Sequence, residues 1–118
     1  MKKDDILLTI AIPTFNRSKF LNDQLYNIHK LLGDYKFSKN IELLVSDNCS
    51  NDYTSEVIDK FSLLDREYKF TSNENNTNVG LDKNYMIACL KSSGRFVWTF
   101  SDDDKLEDGA IEYVCTAL

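Results

Sequence analysis

Asp102, Asp103 and Asp104 stand in a row behind the apolar run Phe96-Val97-Trp98-Thr99-Phe100 and Ser101. A buried strand of that composition would deliver them onto a rim. Three adjacent carboxylates repel one another unless water or a cation neutralises them. Hard oxygen donors suit Mg²⁺ or Mn²⁺, usually held by one or two carboxylates together with the phosphates of a substrate. The competing reading is a solvated acidic loop at the start of the next helix, where the helix dipole favours negative charge. Two further polar clusters follow apolar runs: Pro13-Thr14-Phe15-Asn16-Arg17 and Ser46-Asp47-Asn48. Asp47 could accept a hydrogen bond from a ring N–H or a ribose hydroxyl, or simply close a turn. Phe15 could offer an aromatic face to a base, or pack locally. Asn78, Gly80 and Asn84 could contact phosphates or form a loop-to-helix junction. Lys83 reads as an exposed lysine and His29, inside a helix, as structural.

These clusters need a frame that brings them together. Ile6–Ile12 is a short, nearly unbroken apolar run, as expected of a strand buried on both faces of a parallel sheet. Phe20, Leu21, Leu25, Ile28, Leu31 and Leu32 recur at helical spacing after Asn16 or Ser18, and Gly33 ends the helix. Residues 41–46 predict a second strand. Asp52 or Thr54 caps a helix carrying Val57, Ile58, Phe61 and Leu64. Residues 67–72 alternate and predict a third strand near an edge. Tyr85, Met86, Cys89 and Leu90 share helical spacing within residues 81–90, and Gly94 punctuates. Residues 95–100 form a fourth strand, and a last helix starts at Asp108 or Gly109.

Strands alternating with helices predict an α/β domain with a mostly parallel, Rossmann-like sheet, helices on both faces and right-handed crossovers. The expected strand order, 3-2-1-4, puts strands 1, 2 and 4 side by side. Their three polar clusters then meet beyond the carboxyl ends of the strands, where open parallel sheets bind ligands.

Composition narrows the field. The 118 residues, with 42% hydrophobic and 28% charged side chains, make one domain with a core of its own. A formal net charge of −5 argues against nucleic acid as a partner, so an anionic ligand would need a cation to hold it. No apolar stretch is long enough for a membrane span. The Met1–Asp5 start carries acid, and no signal peptide is expected. Cys49, Cys89 and Cys115 include no CxxC pair, which disfavours zinc and a disulfide framework. They read as buried or half-buried thiols in a reducing, cytoplasmic setting. The Asn-x-Ser/Thr triplets at Asn48 and Asn75 read as chance matches. Neither a dinucleotide fingerprint, nor a P-loop, nor a nucleophile elbow is present.

Four stretches in order resemble the nucleotide-binding half of GT-A fold, family 2 glycosyltransferases. They are Thr9–Arg17 (TIAIPTFNR), Leu44–Asp52 (LVSDNCSND), Asn78-Val79-Gly80, and Gly94–Trp98 leading into Ser101–Asp104. Together they span about residues 8–110. The resemblance implies transfer of a sugar from a nucleoside-diphosphate donor, commonly a UDP-sugar, to a glycan or lipid-linked acceptor with inversion. Polysaccharide or cell-envelope glycan synthesis is the implied setting. Pro13, Thr14, Phe15 and Asn16 would wrap the nucleotide, with Phe15 where the family usually has tyrosine. Asp47 would bind the base and Asn78 would line the site. Asp102 and Asp104 look like the D-x-D pair that meets ribose and a metal–diphosphate, Mg²⁺ or Mn²⁺, with Asp103 able to share that work. The family's catalytic base lies in an acceptor-binding half beyond Leu118, so residues 1–118 alone are expected to lack efficient turnover.

Readings from other classes stay open on the residues alone. A phospho-acceptor receiver would need one reactive aspartate after a middle strand and a lysine after the last, neither of which matches. A nucleotidyltransferase would bring a Gly-rich, basic loop after strand 1, unlike Pro13–Lys19. A structural module would leave the aspartates merely solvated.

Overall fold

The computed structural model describes residues 5–118; Met1–Asp4, most of the start read above for a signal peptide, lie outside the described residues. The chain runs β1 (Leu8–Thr14), α1 (Ser18–Gly33), a short 3-10 turn (Ser38–Asn40), β2 (Ile41–Asp47), α2 (Thr54–Ser62), β3 (Lys69–Glu74), α3 (Leu81–Lys91), β4 (Phe96–Thr99) and α4 (Ala110–Ala117). The four strands form one parallel sheet in the order β3-β2-β1-β4. This is the architecture and strand order that the alternating pattern predicts.

Both central strands are buried along their whole length, which is why they read as apolar runs. Side-chain alternation splits their residues between two layers. Leu8, Ile10 and Ile12 of β1 join Ile41, Leu43 and Val45 of β2 in the larger core, against Leu21, Leu25, Ile28 and Leu32 of α1, Ile58 and Phe61 of α2, and Ile111 of α4. Ala11 and Leu44 face the other way and meet Ala88 of α3. Small residues there let α3 lie close to the sheet. The α3 face differs from the apolar spacing in the sequence: Met86, Cys89 and Leu90 are exposed, and Asn84 and Ala88 are buried. Cys89 therefore departs from the expected buried or half-buried thiol, while Cys49 and Cys115 are half-buried.

β1 runs two residues past its expected end, through Pro13. Pro13 lies beyond Ala11, the last β1 residue paired with β4, so its missing N–H removes no bond from that ladder. β4 departs from the buried strand read in the sequence. It is an edge strand with Phe96 and Val97 exposed, because among the described residues only β1 pairs with it.

Near the amino ends of the strands the sheet encloses one charge. Glu42 is 1% exposed. Its Oε1 accepts from the Thr9 hydroxyl at 2.8 Å and the Ser93 N–H at 2.9 Å, and its Oε2 accepts from the Thr71 hydroxyl at 3.0 Å. Burial alone would raise the Glu42 pKa, but these hydrogen bonds outweigh it and hold the carboxyl below its ordinary range. Gly94 donates its N–H to Thr9 Oγ1 at 2.9 Å, and a Cβ at this position would lie 2.6 Å from the Thr9 nitrogen. The glycine read as punctuation is thus a close-approach site, where the chain entering β4 touches β1.

Candidate active site at the carboxyl rim

The loops leaving β1 and β2 are joined before they reach any ligand. Asn16 has a left-handed backbone, φ 50°, which asparagine tolerates better than most residues. Its N–H donates to Ser50 Oγ and its side-chain oxygen accepts from the Asn51 N–H, both at 2.8 Å. The Ser18 N–H, at the start of α1, donates to Asp52 Oδ2 at 3.0 Å. Asp52 Oδ1 accepts from the Thr54 N–H and hydroxyl at the start of α2. One short segment, Ser50–Asp52, thereby holds the openings of two helices.

A second set of bonds ties β2 to the loop before α3. Asn48 donates to Asn78 Oδ1 at 2.8 Å and accepts from the Val79 N–H at 3.0 Å and the Asn75 amide at 3.1 Å. Asn84 is 2% exposed; its amide donates to the Ser46 carbonyl, and its oxygen accepts from the Ser46 hydroxyl. Asn73–Asn78 looks like an ordinary polar loop in sequence, yet its asparagines fasten one strand end to the next element. Gly80, at φ 91°, makes the turn into α3.

These loops frame a cleft of about 410 Å³, within the size range of small-molecule sites. The cleft is lined by Pro13, Thr14 and Phe15 from the end of β1, Asn48 from just after β2, Asn78 and Tyr85 from the loop before α3 and from α3 itself, and by Arg17, Ser101 and Asp102. Phe15 is partly exposed, with an aromatic surface open to the cleft region. Thr14 joins β1 to the acidic loop: its hydroxyl donates to Asp102 Oδ2 at 2.8 Å, across 88 residues of sequence.

Arg17 organises the acids. Its Nε lies 3.4 Å from Asp102 Oδ1, and another guanidinium nitrogen donates to Asp103 Oδ2 at 2.9 Å, with the guanidinium 4.7 Å from the centre of the Phe20 ring. Asp103 also accepts from the Ser101 hydroxyl. Burial is the largest influence on Asp102 and raises its pKa; the Thr14 hydroxyl and the Arg17 charge oppose that, and the Asp103 charge adds to it. The Ser101 hydroxyl, then Arg17, hold exposed Asp103 below the ordinary range. Asp102 also lines a second cleft, of about 380 Å³, with Asp103, Asp104 and the α1 residues Asp23 and Gln24. Asp102 therefore stands between the two clefts.

The residues singled out in the sequence divide accordingly. Pro13, Thr14, Phe15, Asn78 and Asp102 share the first cleft; Asp103 and Asp104 line the second. Asn16 serves the loop junction. Asp47 is buried, and its Oδ1 accepts from the Ser50 N–H at 3.0 Å and hydroxyl at 2.6 Å; it lines a small, separate cleft beside α2. Arg17 and Asn48 take larger parts than sequence assigns them. Their signal was present in the quoted motifs, but only the fold shows that they face the same cleft.

Among the described residues, no set of three or more His, Cys, Asp or Glu side chains is arranged to hold a metal ion unaided. The donors nevertheless suit a hard divalent cation. Asp102 and Asp103 already direct an oxygen each at a single positive group, Arg17, and a site with two carboxylates ordinarily relies on phosphate oxygens to complete it.

Comparison with known proteins matches this arrangement to one family. Residues 9–118 fit the model of glycosyl transferase family 2. Abequosyltransferase RfbV of Salmonella typhimurium is 32% identical over 115 residues, covering 96% of this chain and 33% of the relative. The GalNAc(5)-diNAcBac-PP-undecaprenol beta-1,3-glucosyltransferase of Campylobacter jejuni is 33% identical over 111 residues, covering 88% of this chain and 32% of the relative. The chain thus spans about a third of the length of these relatives. In three dimensions it resembles TarS of S. aureus, residues 1–349, with a TM-score of 0.80 at 21% identity over 94% of this chain and 32% of that one. The mannosyltransferase PcManGT of Pyrobaculum calidifontis gives 0.75 at 22% identity, over 86% of this chain and 28% of that one. Both likenesses concern the fold, the GT-A arrangement. With its family model matched over nearly the whole chain, the protein belongs to glycosyl transferase family 2.

Proposed function

We propose that residues 1–118 form the donor-binding portion of an inverting glycosyltransferase, using a nucleoside-diphosphate sugar, with a UDP-sugar the favoured class. The observation that carries the reading is the Thr14–Asp102 hydrogen bond. It joins the end of β1 to the acidic loop in the lining of a cleft of suitable size. Fold neighbours support it: TarS has been crystallised with UDP and with UDP-GlcNAc, and PcManGT with GDP-Man and Mn²⁺.

In this reading Pro13, Thr14, Phe15 and Asn78 receive the nucleoside. Asp47 serves it from the β2 end, either directly or by holding the Ser50 turn. Asp102 and Asp104 hold Mg²⁺ or Mn²⁺, with Asp103 sharing the charge. When bound, the ion acts as a Lewis acid for the charge that grows on the departing diphosphate. Arg17, beside Asp102, offers a second positive group to the phosphates. Sugar transfer builds oxocarbenium-like character at the anomeric carbon, and a carboxylate base must take the proton of the acceptor hydroxyl. We assign that base to an acceptor-binding portion outside these residues. The named activities of the relatives favour a glycan or lipid-linked acceptor in cell-envelope synthesis; we place that work in the cytoplasm, at the cytoplasmic face of the membrane. Among the described residues, no helix is long and apolar enough to cross it.

Titration with UDP, with and without Mn²⁺, tests the proposal. Metal-dependent binding that is lost in Asp102→Asn and Asp104→Ala, and weakened in Asp47→Ala, is the expected result. No binding at millimolar nucleotide would overturn it, and sustained sugar transfer by residues 1–118 alone would overturn the assignment of the base.

A further inference from the structure

The acidic loop has no regular secondary structure of its own between β4 and α4, yet its backbone is held from one side by α1. Gln24 is 3% exposed. Its side-chain amide donates to the carbonyls of Ser101, at 2.8 Å, and Asp104. Those two carbonyls bracket Asp102 and Asp103. Three residues further along the same helix, Asn27 donates its amide to the Leu106 carbonyl at 3.1 Å. Residues three apart project from the same side of a helix, so the two amides form a pair of clamps along one line. Both donors reach main-chain oxygens, so the grip is on the path of the loop and independent of which side chains it carries.

The chemistry of the amide specifies the clamp. Both acceptors of Gln24 are carbonyls, so only a donor can sit between them, and this fixes which end of the amide faces the loop. Among the described residues the buried Gln24 oxygen has no hydrogen-bond partner, an arrangement that is unfavourable by itself. A glutamate here would set a carboxylate against two carbonyl oxygens. A methionine would fill nearly the same volume and donate nothing.

We propose that Gln24, seconded by Asn27, is the positioning residue of the donor site: by gripping Ser101 and Asp104 through their carbonyls it sets where Asp102 and Asp103 stand relative to Thr14 and Arg17. The inference rests on the donor-binding reading above. Groups that orient ligating residues typically change metal affinity by about ten- to a hundredfold when removed. Gln24→Met is therefore expected to weaken Mn²⁺-dependent UDP binding about tenfold or more, and Gln24→Glu at least as much. Asn27→Leu, acting at the far end of the loop, should have a smaller effect in the same direction.

Two readings on purified protein test this. Calorimetric titration with UDP and Mn²⁺ measures binding, and amide hydrogen exchange measures protection of the loop against that of β1 and β2. Faster exchange confined to residues 101–106, with weaker UDP–Mn²⁺ binding and undisturbed β1 and β2, is the expected result. Gln24→Met protein that binds UDP–Mn²⁺ like the parent would overturn the inference while leaving the donor-binding reading intact. Protection lost throughout α1 and the sheet would also overturn it, making Gln24 a general core residue. Should the parent itself bind no nucleotide, the donor-binding reading fails, and exchange alone then decides whether Gln24 positions the loop.

Discussion

Glu42 and Asp102 are both almost fully withdrawn from water, yet their surroundings push their pKa values in opposite directions. Glu42 lies where the amino halves of three strands meet and receives two hydroxyls and a backbone N–H, with the Lys69 ammonium 3.6 Å away. Asp102 lies past the carboxyl end of β4 and has the Thr14 hydroxyl and a 3.4 Å approach from Arg17. Burial dominates at Asp102, and hydrogen bonding wins at Glu42. One acid is a joint of the sheet. The other keeps an uncompensated burial cost, which is what the proposed donor-binding role of Asp102 would use.

The contrast is broken most directly by Asp102→Asn. Nucleotide affinity in the presence of Mn²⁺ should fall by more than about a hundredfold, while the melting temperature at neutral pH stays within about 2 °C of the parent or rises. The sign follows from burial. A carboxyl whose folded pKa is raised withdraws stability as pH climbs through that value, and the amide has no such charge to bury. A large drop in melting temperature would make Asp102 a joint like Glu42.

Next in size are substitutions at the sheet joint. Glu42→Leu leaves the Thr9 and Thr71 hydroxyls and the Ser93 N–H without their acceptor, and Gly94→Ala forces a Cβ onto the β1 backbone. Each should cost about 2–4 kcal/mol in urea unfolding. A loss below about 1 kcal/mol for both would show that the network contributes little.

A finer separation comes from pH. The folded pKa of Glu42 is depressed, so its contribution is present above the unfolded value, about 4.3, and disappears as pH falls through the folded value. Melting curves taken from pH 6 down to pH 3 should therefore show a shallower acid decline in Glu42→Gln than in the parent. Parallel curves would mean that the carboxylate is not what the hydrogen bonds favour. The smallest effect concerns the loop junction. Asn16→Ala loses the bond to Asn51 and places alanine at positive φ, about 1–2 kcal/mol together.

The same contrast explains what can be read along the chain. β1 and β2 announce themselves because burial on both faces demands unbroken apolar runs, and their order follows from alternation with helices. Asp102 was legible as chemistry because a triplet of acids behind a strand needs an explanation. Glu42 was not: within IELLVS a single acid looks like an outward-facing residue, and only the register Thr9–Glu42–Lys69 shows that it is enclosed. The buried face of α3 escaped for a related reason. It is made of Asn84 and Ala88, one polar and one small, so the helix shows almost no apolar stripe on the side that packs. Asp47 was expected at a common cleft with Asp102 but adjoins α2, whereas Asp104 does share a cleft with Asp102, the second one, beside α1. Which way a side chain leaves the end of a strand depends on turn geometry, which residue type alone does not encode.

β4 carries a consequence for handling the molecule. Among the described residues no strand pairs with its outer side, beside exposed Phe96 and Val97, and an edge of this kind can recruit a strand from another polypeptide. At four residues the edge is short, so self-association through it should be weak and should grow with protein concentration. A charged residue at position 97 would be the simplest way to keep concentrated samples monodisperse.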